Sequence, residues 1–166
     1  MKVGIIMGSK SDYPVVEKAE EVLKDFKVPY ETRVISAHRT PEAAADFSKN
    51  ALKNDFEVII AAAGKAAHLA GVLAASTPVP VIGIPMKTSD LGGMDSLLST
   101  VQMPKGVPVA TVAIGGAENA ALLAVQILST KYPSLRQAVV DYKAKMQKDI
   151  EAADAEVANS FNPVGL

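Results

Sequence analysis

Ser36-Ala37-His38-Arg39-Thr40-Pro41 sets a titratable imidazole beside a permanent cation. The hexapeptide follows an extended apolar run and ends on a helix start, because Thr40 can cap and Pro41 fits the first helical position. A strand-to-helix corner is the usual ligand site of an α/β chain. Taken alone, His38 and Arg39 fit a solvated surface turn equally well. The rest of the chain has to decide.

Two further segments behind apolar runs carry suitable side chains. Gly8-Ser9-Lys10-Ser11-Asp12 offers backbone N–H groups at a helix start and two hydroxyls, a setting for phosphate. It is neither a Walker A loop nor a G-x-G-x-x-G fingerprint. Asp12 would repel phosphate but accept hydrogen bonds from ribose hydroxyls; read alone, the segment is a Gly-Ser turn with Asp12 as an N-cap. Gly64-Lys65-Ala66-Ala67-His68-Leu69 brings the second histidine. A lone histidine among alanines is ordinarily a hydrogen-bonded packing residue. Yet both histidines fall just beyond strand ends on one edge of the expected sheet, which points to a shared pocket with tight apolar walls. Asp95-Ser96 and Gln102-Met103-Pro104 are polar interruptions to which chemistry alone assigns no role.

The elements that must position these segments alternate. Strands are predicted over Lys2–Met7, Tyr30–Ser36, Val58–Ala63, Val79–Ile84 and Val107–Ile114, as short apolar runs bounded by Gly and Pro. Helices are predicted from Pro14 to about Phe26, from Pro41 to about Leu52, after His68, around Asp95–Val101, and from Gly115 to about Thr130. Uninterrupted alternation predicts a parallel sheet covered on both faces, an α/β fold of three αβα layers. A last helix, about 134–158, carries a narrow apolar stripe of Leu135, Val139, Tyr142, Met146, Ile150, Ala153 and Val157 on a charged background. It can lie across its own domain or reach another subunit. We expect one domain over 1–166, with a core at 2–131 and an uninformative tail at 159–166.

Composition limits the chemistry. With 49% hydrophobic and 21% charged residues the 166-residue chain is globular, and it is long enough to bury a core. A net charge of −1 makes no electrostatic case for nucleic acid or an acidic membrane surface. The absence of cysteine removes disulfides, thiolate nucleophiles and zinc-thiolate sites, and two histidines argue against an all-histidine metal site. The first apolar run is too short for a signal peptide and no segment has the length of a membrane span. A soluble, cytoplasmic protein is expected.

Several motifs in order and spacing resemble the N5-carboxyaminoimidazole ribonucleotide mutase family of purine biosynthesis. They are Gly8-Ser-Lys-Ser-Asp, Ser36-Ala-His-Arg-Thr-Pro, Ala66-Ala-His-Leu, Asp95-Ser-Leu-Leu-Ser, Val101-Gln-Met-Pro with Gly106-Val-Pro-Val, and Asn119-Ala-Ala-Leu-Leu-Ala. The resemblance covers Lys2 to about Ile150. It implies a flavodoxin-like fold with a five-stranded parallel sheet, a homo-octamer with sites near subunit contacts, and no metal or organic cofactor. The implied substrate is an aminoimidazole ribonucleotide whose N5 carbamate carboxylate moves to C4. By the same resemblance Ser9, Asp12 and Arg39 bind ribose phosphate, and His38 is the general acid/base. Ser11, Ser36, Ala37 and the Gly64–Leu69 loop, including Lys65 and Leu69, line the base and carboxylate pocket, with His68 opposite His38. Lys65 and Ala70 depart from the usual glycine and proline of the family. Lys65 is expected to point to solvent.

The alternatives differ in definite features. A flavin carrier of the same fold class would want aromatic residues around the flavin, but there is no Trp, and the loops after strands hold no Tyr or Phe apart from Tyr13. A phospho-receiver module needs an aspartate at the end of the third strand, where Ala61-Ala62-Ala63-Gly64 has none. A flavodoxin-like binding protein without activity is a further reading. The sister carboxylase, which adds free CO2 to aminoimidazole ribonucleotide, shares the first two loops and differs in the third, where Arg-Ser-Asn follows the glycine.

Overall fold

The computed structural model describes residues 1–159; most of the expected tail, residues 160–166, lies outside the described residues. Five parallel strands form one sheet in the order β2-β1-β3-β4-β5. They are β1 (Lys2–Met7), β2 (Tyr30–Val34), β3 (Phe56–Ala63), β4 (Val81–Pro85) and β5 (Ala110–Thr111). The connecting helices are α1 (Tyr13–Asp25), α2 (Pro41–Asn50), α3 (Leu69–Ala74), α4 (Met94–Val101), α5 (Ala117–Ser129) and α6 (Pro133–Asn159). This is the expected flavodoxin-like three-layer arrangement with a long terminal helix.

Successive strand side chains face opposite layers, so each buried strand supplies two cores. Val3, Ile5, Met7, Ile82 and Ile84 meet Val16, Ala19 and Leu23 of α1 and the alanine face of α5. Ile6, Ile59, Ala61 and Val81 meet Ala44 and Phe47 of α2 and Leu69 and Leu73 of α3. Every residue of Val3–Met7 is buried, which is why these strands read as continuous apolar runs. Gly4 is required by close approach: a Cβ there would stand 2.9 Å from the Phe47 ring.

β5 is shorter than the expected Val107–Ile114. Pro108 has no N–H to give a ladder, and β5 is an edge strand with only one neighbour. Past Thr111 the chain keeps only single backbone bonds to β4, from Val112 N–H to the Gly83 carbonyl and from Gly115 N–H to the Pro85 carbonyl. Smaller shifts trim β2 to Val34 and α2 to Asn50, and move β4 to Val81–Pro85, since Pro80 cannot donate. Among the described residues no helix is long and apolar enough to cross a membrane.

α4 packs closely on β4 because Gly83 has no side chain. A Cβ there would overlap the Thr100 methyl and lie 3.0 Å from Val109 Cγ1. Thr100 cannot swing away cheaply, since it is buried and its hydroxyl donates to the Ser96 carbonyl at 2.8 Å. Gly83→Ala is therefore expected to lose about 1–3 kcal/mol of stability by overpacking, read from the denaturant midpoint. An unchanged midpoint would show that α4 yields without cost.

Candidate active site

Parallel strands deliver their carboxyl ends to one rim, and four loops meet there around a cavity of about 510 Å³. That size suits a small ligand. The loop after β1 contributes Gly8, Ser9, Ser11 and Asp12. The loop after β2 contributes Ser36, Ala37, His38 and Arg39. Gly64, Lys65, Ala66, His68 and Leu69 follow β3, and Met86, Lys87, Thr88 and Ser89 follow β4. All eleven residues singled out from the sequence thus line one cavity.

The two histidines touch. His38 Nε2 lies 2.9 Å from His68 Nδ1, with the rings edge-on at an interplanar angle of 82°. One proton sits in such a contact, so one imidazole donates and the other accepts. The pair joins the loops after β2 and β3, which flank β1 in the sheet. His68 occupies the N-cap position of α3 rather than a packed core, and both histidines are exposed.

Arg39 is held in place by protein acceptors. Its Nη2 donates to the Gly8 carbonyl at 2.8 Å and its Nε to Ser36 Oγ at 3.4 Å, which fastens the loop after β2 to the loop after β1. Among the described residues the remaining guanidinium donors have no partner and are available to an anion in the cavity. Ser9 Oγ accepts from the Ser11 N–H at 3.3 Å and from the Ser11 hydroxyl at 2.9 Å, and so caps a single 3-10 turn at Lys10–Asp12. Asp12 stands at the N-cap of α1 without making a cap bond, so the expected capping role falls to Ser9. Burial pushes the Asp12 carboxyl above its usual range, against the opposing effect of hydrogen bonds from Ser11 and the Ser9 backbone. Thr40 likewise does not cap α2; its hydroxyl accepts from the Ser36 N–H at 2.9 Å and donates to the Ser36 carbonyl at 3.0 Å, which shapes the histidine turn instead.

Lys65 is exposed, as expected, and also has a partner. Its ammonium lies 3.2 Å from Asp90 Oδ2. The β4 loop was missed from the sequence, although its place after a strand end is the same signal that marked the other three. Asp95 and Ser96 also gain roles. Asp95 accepts from the Thr88 hydroxyl at 2.7 Å, while the Ser96 hydroxyl, buried, reaches the Met86 and Gly93 carbonyls. They brace the base of that loop from α4. Among the described residues no group of three or more His, Asp or Glu is placed to hold a metal ion.

Comparison with known proteins matches residues 2–149 to the family described as AIR carboxylase. The chain belongs to that family. Similar relatives include the N5-carboxyaminoimidazole ribonucleotide mutases of Pyrococcus abyssi and Aquifex aeolicus. The first is 59% identical over 147 residues, covering 89% of this chain and 84% of the relative. The second is 61% identical over 131 residues, covering 79% and 78%. The mutase of Mycobacterium tuberculosis is 54% identical over 156 residues, covering 94% and 90%. A crystal structure of Treponema denticola PurE superposes with a TM-score of 0.86 at 30% identity, covering 93% of this chain and 97% of that one. Membership of the AIR carboxylase family accords with the resemblance carried by the loop motifs.

Within this AIR carboxylase chain, Asp12 is the carboxylate whose ionisation burial opposes. A carboxyl raised on folding stabilises the fold fully below its unfolded value, here near 3.8, and loses that contribution as pH rises through the folded value. Asp12→Asn removes the charged form, so at neutral pH the variant should melt above the parent. The advantage should vanish below pH 4, where the parent carboxyl is protonated. A melting difference independent of pH would rule out this origin.

Proposed function

We propose that this chain is an N5-carboxyaminoimidazole ribonucleotide mutase, moving the carboxylate from N5 to C4 in purine biosynthesis. The observation that carries the reading is the His38–His68 contact, set in the same cavity as Arg39, Ser9 and Asp12. One end suits an imidazole heterocycle with its carboxylate; the other suits a ribose phosphate. The names of the Pyrococcus, Aquifex and Mycobacterium relatives support the same activity.

In this reading Arg39 and Ser9 take the phosphate, and Asp12 accepts from ribose hydroxyls. Ser11, Ser36, Ala37, Gly64, Lys65 and Leu69 surround the base and the carboxylate. The carbamate C–N bond breaks, its electron pair stays on nitrogen, and CO2 is released inside the cavity. C4 then attacks CO2 and gives up its proton. His38 moves the protons, because an imidazole has one ring nitrogen that donates and one that accepts and so serves both directions. His68 orients the carboxylate. CO2 is small and uncharged, so closure of the alanine-rich loop retains it better than any cation could. The reaction so written uses no nucleophilic side chain, metal or organic cofactor.

A homo-oligomer, the octamer that the resemblance implies, and a cytoplasmic setting belong to the same proposal. What supports assembly is α6: Met146 is 51% exposed and Ile150 72%, continuing the apolar stripe beyond the chain's own core. Removal of residues 144–166 should then give a smaller species in sedimentation. The same assembly in the shortened chain would confine α6 to a local cover.

A second reading is favoured by the family's own description, AIR carboxylase, which makes free CO2 the co-substrate. Each substrate supplied to purified protein in CO2-depleted buffer separates the two. The mutase should turn over the N5-carboxylated ribonucleotide there, with the uncarboxylated compound a poor substrate even after bicarbonate is restored. The reverse pattern would make it a carboxylase. His38→Asn should lose about 10²–10⁴-fold in turnover while remaining folded, and His68→Asn should lose less. Near-parental turnover of the first variant would remove His38 from the proton transfers.

A further inference from the structure

Three non-glycine residues adopt positive φ among the described residues: Lys27 (56°), Asp55 (63°) and Lys65 (54°). The first two have a local reason. Each follows a helix, and each is enclosed by backbone bonds that end it: Val28 N–H to the Leu23 carbonyl at 2.9 Å, and Phe56 N–H to the Ala51 carbonyl at 3.0 Å. Lys65 ends no helix. It stands at the corner between β3 and α3, in the wall of the cavity, where a left-handed backbone disfavours any side chain.

Its side chain and its backbone both lead to His68. From Lys65 the chain coils tightly, with Ala67 N–H donating to the Lys65 carbonyl and His68 N–H to the Ala66 carbonyl, each at 2.8 Å. The Lys65 ammonium meets Asp90 Oδ2 at 3.2 Å, while the Ser89 hydroxyl donates to the other oxygen at 3.3 Å. Asp90 sits at the outer part of the β4 loop. The base of that loop is fixed, since Thr88 Oγ1 accepts from the Gly93 N–H at 3.1 Å and its hydroxyl donates to Asp95. At the root of the two loops Met86 N–H donates to the Ala63 carbonyl at 2.9 Å. The Lys65–Asp90 pair is therefore an outer tie between two loops already joined at their base.

We infer that Lys65 and Asp90 are positioning residues whose ion pair straps the His68 loop to the β4 loop, keeping His68 on His38 and limiting escape of CO2 during carboxylate transfer. The chemical half rests on the mutase reading; the strap itself rests on geometry. Both partners are largely exposed, at 72% and 68% of their side chains, so the tie is weak and salt-sensitive, suited to a segment that must open for substrate.

The test uses the full chain with Asp90→Asn, Lys65→Met and the reversed pair Lys65→Asp/Asp90→Lys. In unliganded protein, amide exchange over 64–68 and 87–91 should quicken about two- to fivefold in both single variants and return toward the parent in the reversed pair. With the N5-carboxylated ribonucleotide, the ratio of decarboxylated ribonucleotide to C4-carboxylated product should rise by a similar factor. That ratio should increase with salt in the parent but not in Asp90→Asn. Unchanged exchange in Asp90→Asn overturns the strap. Faster exchange with an unchanged ratio overturns its part in retaining CO2. An effect in Lys65→Met alone would mean that Lys65 meets the substrate directly, and also overturns the proposal. A parent chain that cannot convert the carbamate refutes the mutase reading and the CO2 role together, while the exchange measurement still decides the strap.

Discussion

Parallel strands all finish at the same rim, and the cavity is built on that constraint. In the register, Met7 is level with Val34 on one side and Ala62 on the other, and Ala63 is level with Pro85. Four adjacent strands at ~4.8 Å spacing confine the roots of their loops to about 14 Å. Side chains far apart in sequence, from Ser9 to Ser89, are thus delivered to one small volume before any of them interacts. The apolar strand interiors contribute the energy. The loops are then free to carry polar groups that a self-standing turn could not hold together.

Contacts between loops are correspondingly light. Arg39 to the Gly8 carbonyl ties the first two loops, the histidine pair ties the second to the third, and Lys65–Asp90 ties the third to the fourth. A neutral hydrogen bond contributes about 0.5–1.5 kcal/mol net, one from a charged donor such as Arg39 about 1.5–3, and an exposed ion pair about 0–1. None of these could assemble the site against the entropy of four loose loops. Because the sheet has already placed them, each can exchange its partner with a ligand at small cost. Arg39 shows the division: some of its donors fix the loop, and the rest have no partner among the described residues.

Legibility in the sequence followed the physics of each element. Strands buried on both faces, such as Val3–Met7, are continuous apolar runs and could be placed to the residue. β5 could not, because an edge strand with Pro108 depends on a neighbour that a local pattern does not reveal. Histidines behind strand ends marked two of the four loops, and the Gly8–Asp12 hydroxyls at a helix start marked a third. The fourth, Lys87–Gly93, has no histidine, and the reason for its shape lies in Asp95 and Ser96 on the following helix. The Lys65–Asp90 pair joins residues 25 apart, beyond the reach of any spacing rule. Caps failed for a related reason: Asp12 and Thr40 have the right chemistry for their positions, but nearer partners took their side chains.

Length sets α6 apart from the other helices. At ~1.5 Å per residue its 27 residues run about 40 Å, twice the span of the 13-residue α5 on which it starts. Only its first turns find a core: Leu135 is buried, Val139 packs on the α1–α5 layer, and Tyr142 meets the Phe26 ring at 5.6 Å. From Val140 to Ala158 the helix is exposed. A helix without packing is marginal in water, and side-chain pairs such as Gln147 to Glu151 at 2.6 Å add only about 0.2–0.5 kcal/mol each. Met146 and Ile150 nevertheless continue the apolar stripe at helical spacing into this unsupported half. A purely solvated helix gains nothing from such a stripe. Its persistence past the end of the core is the physical reason to look for a second surface against α6.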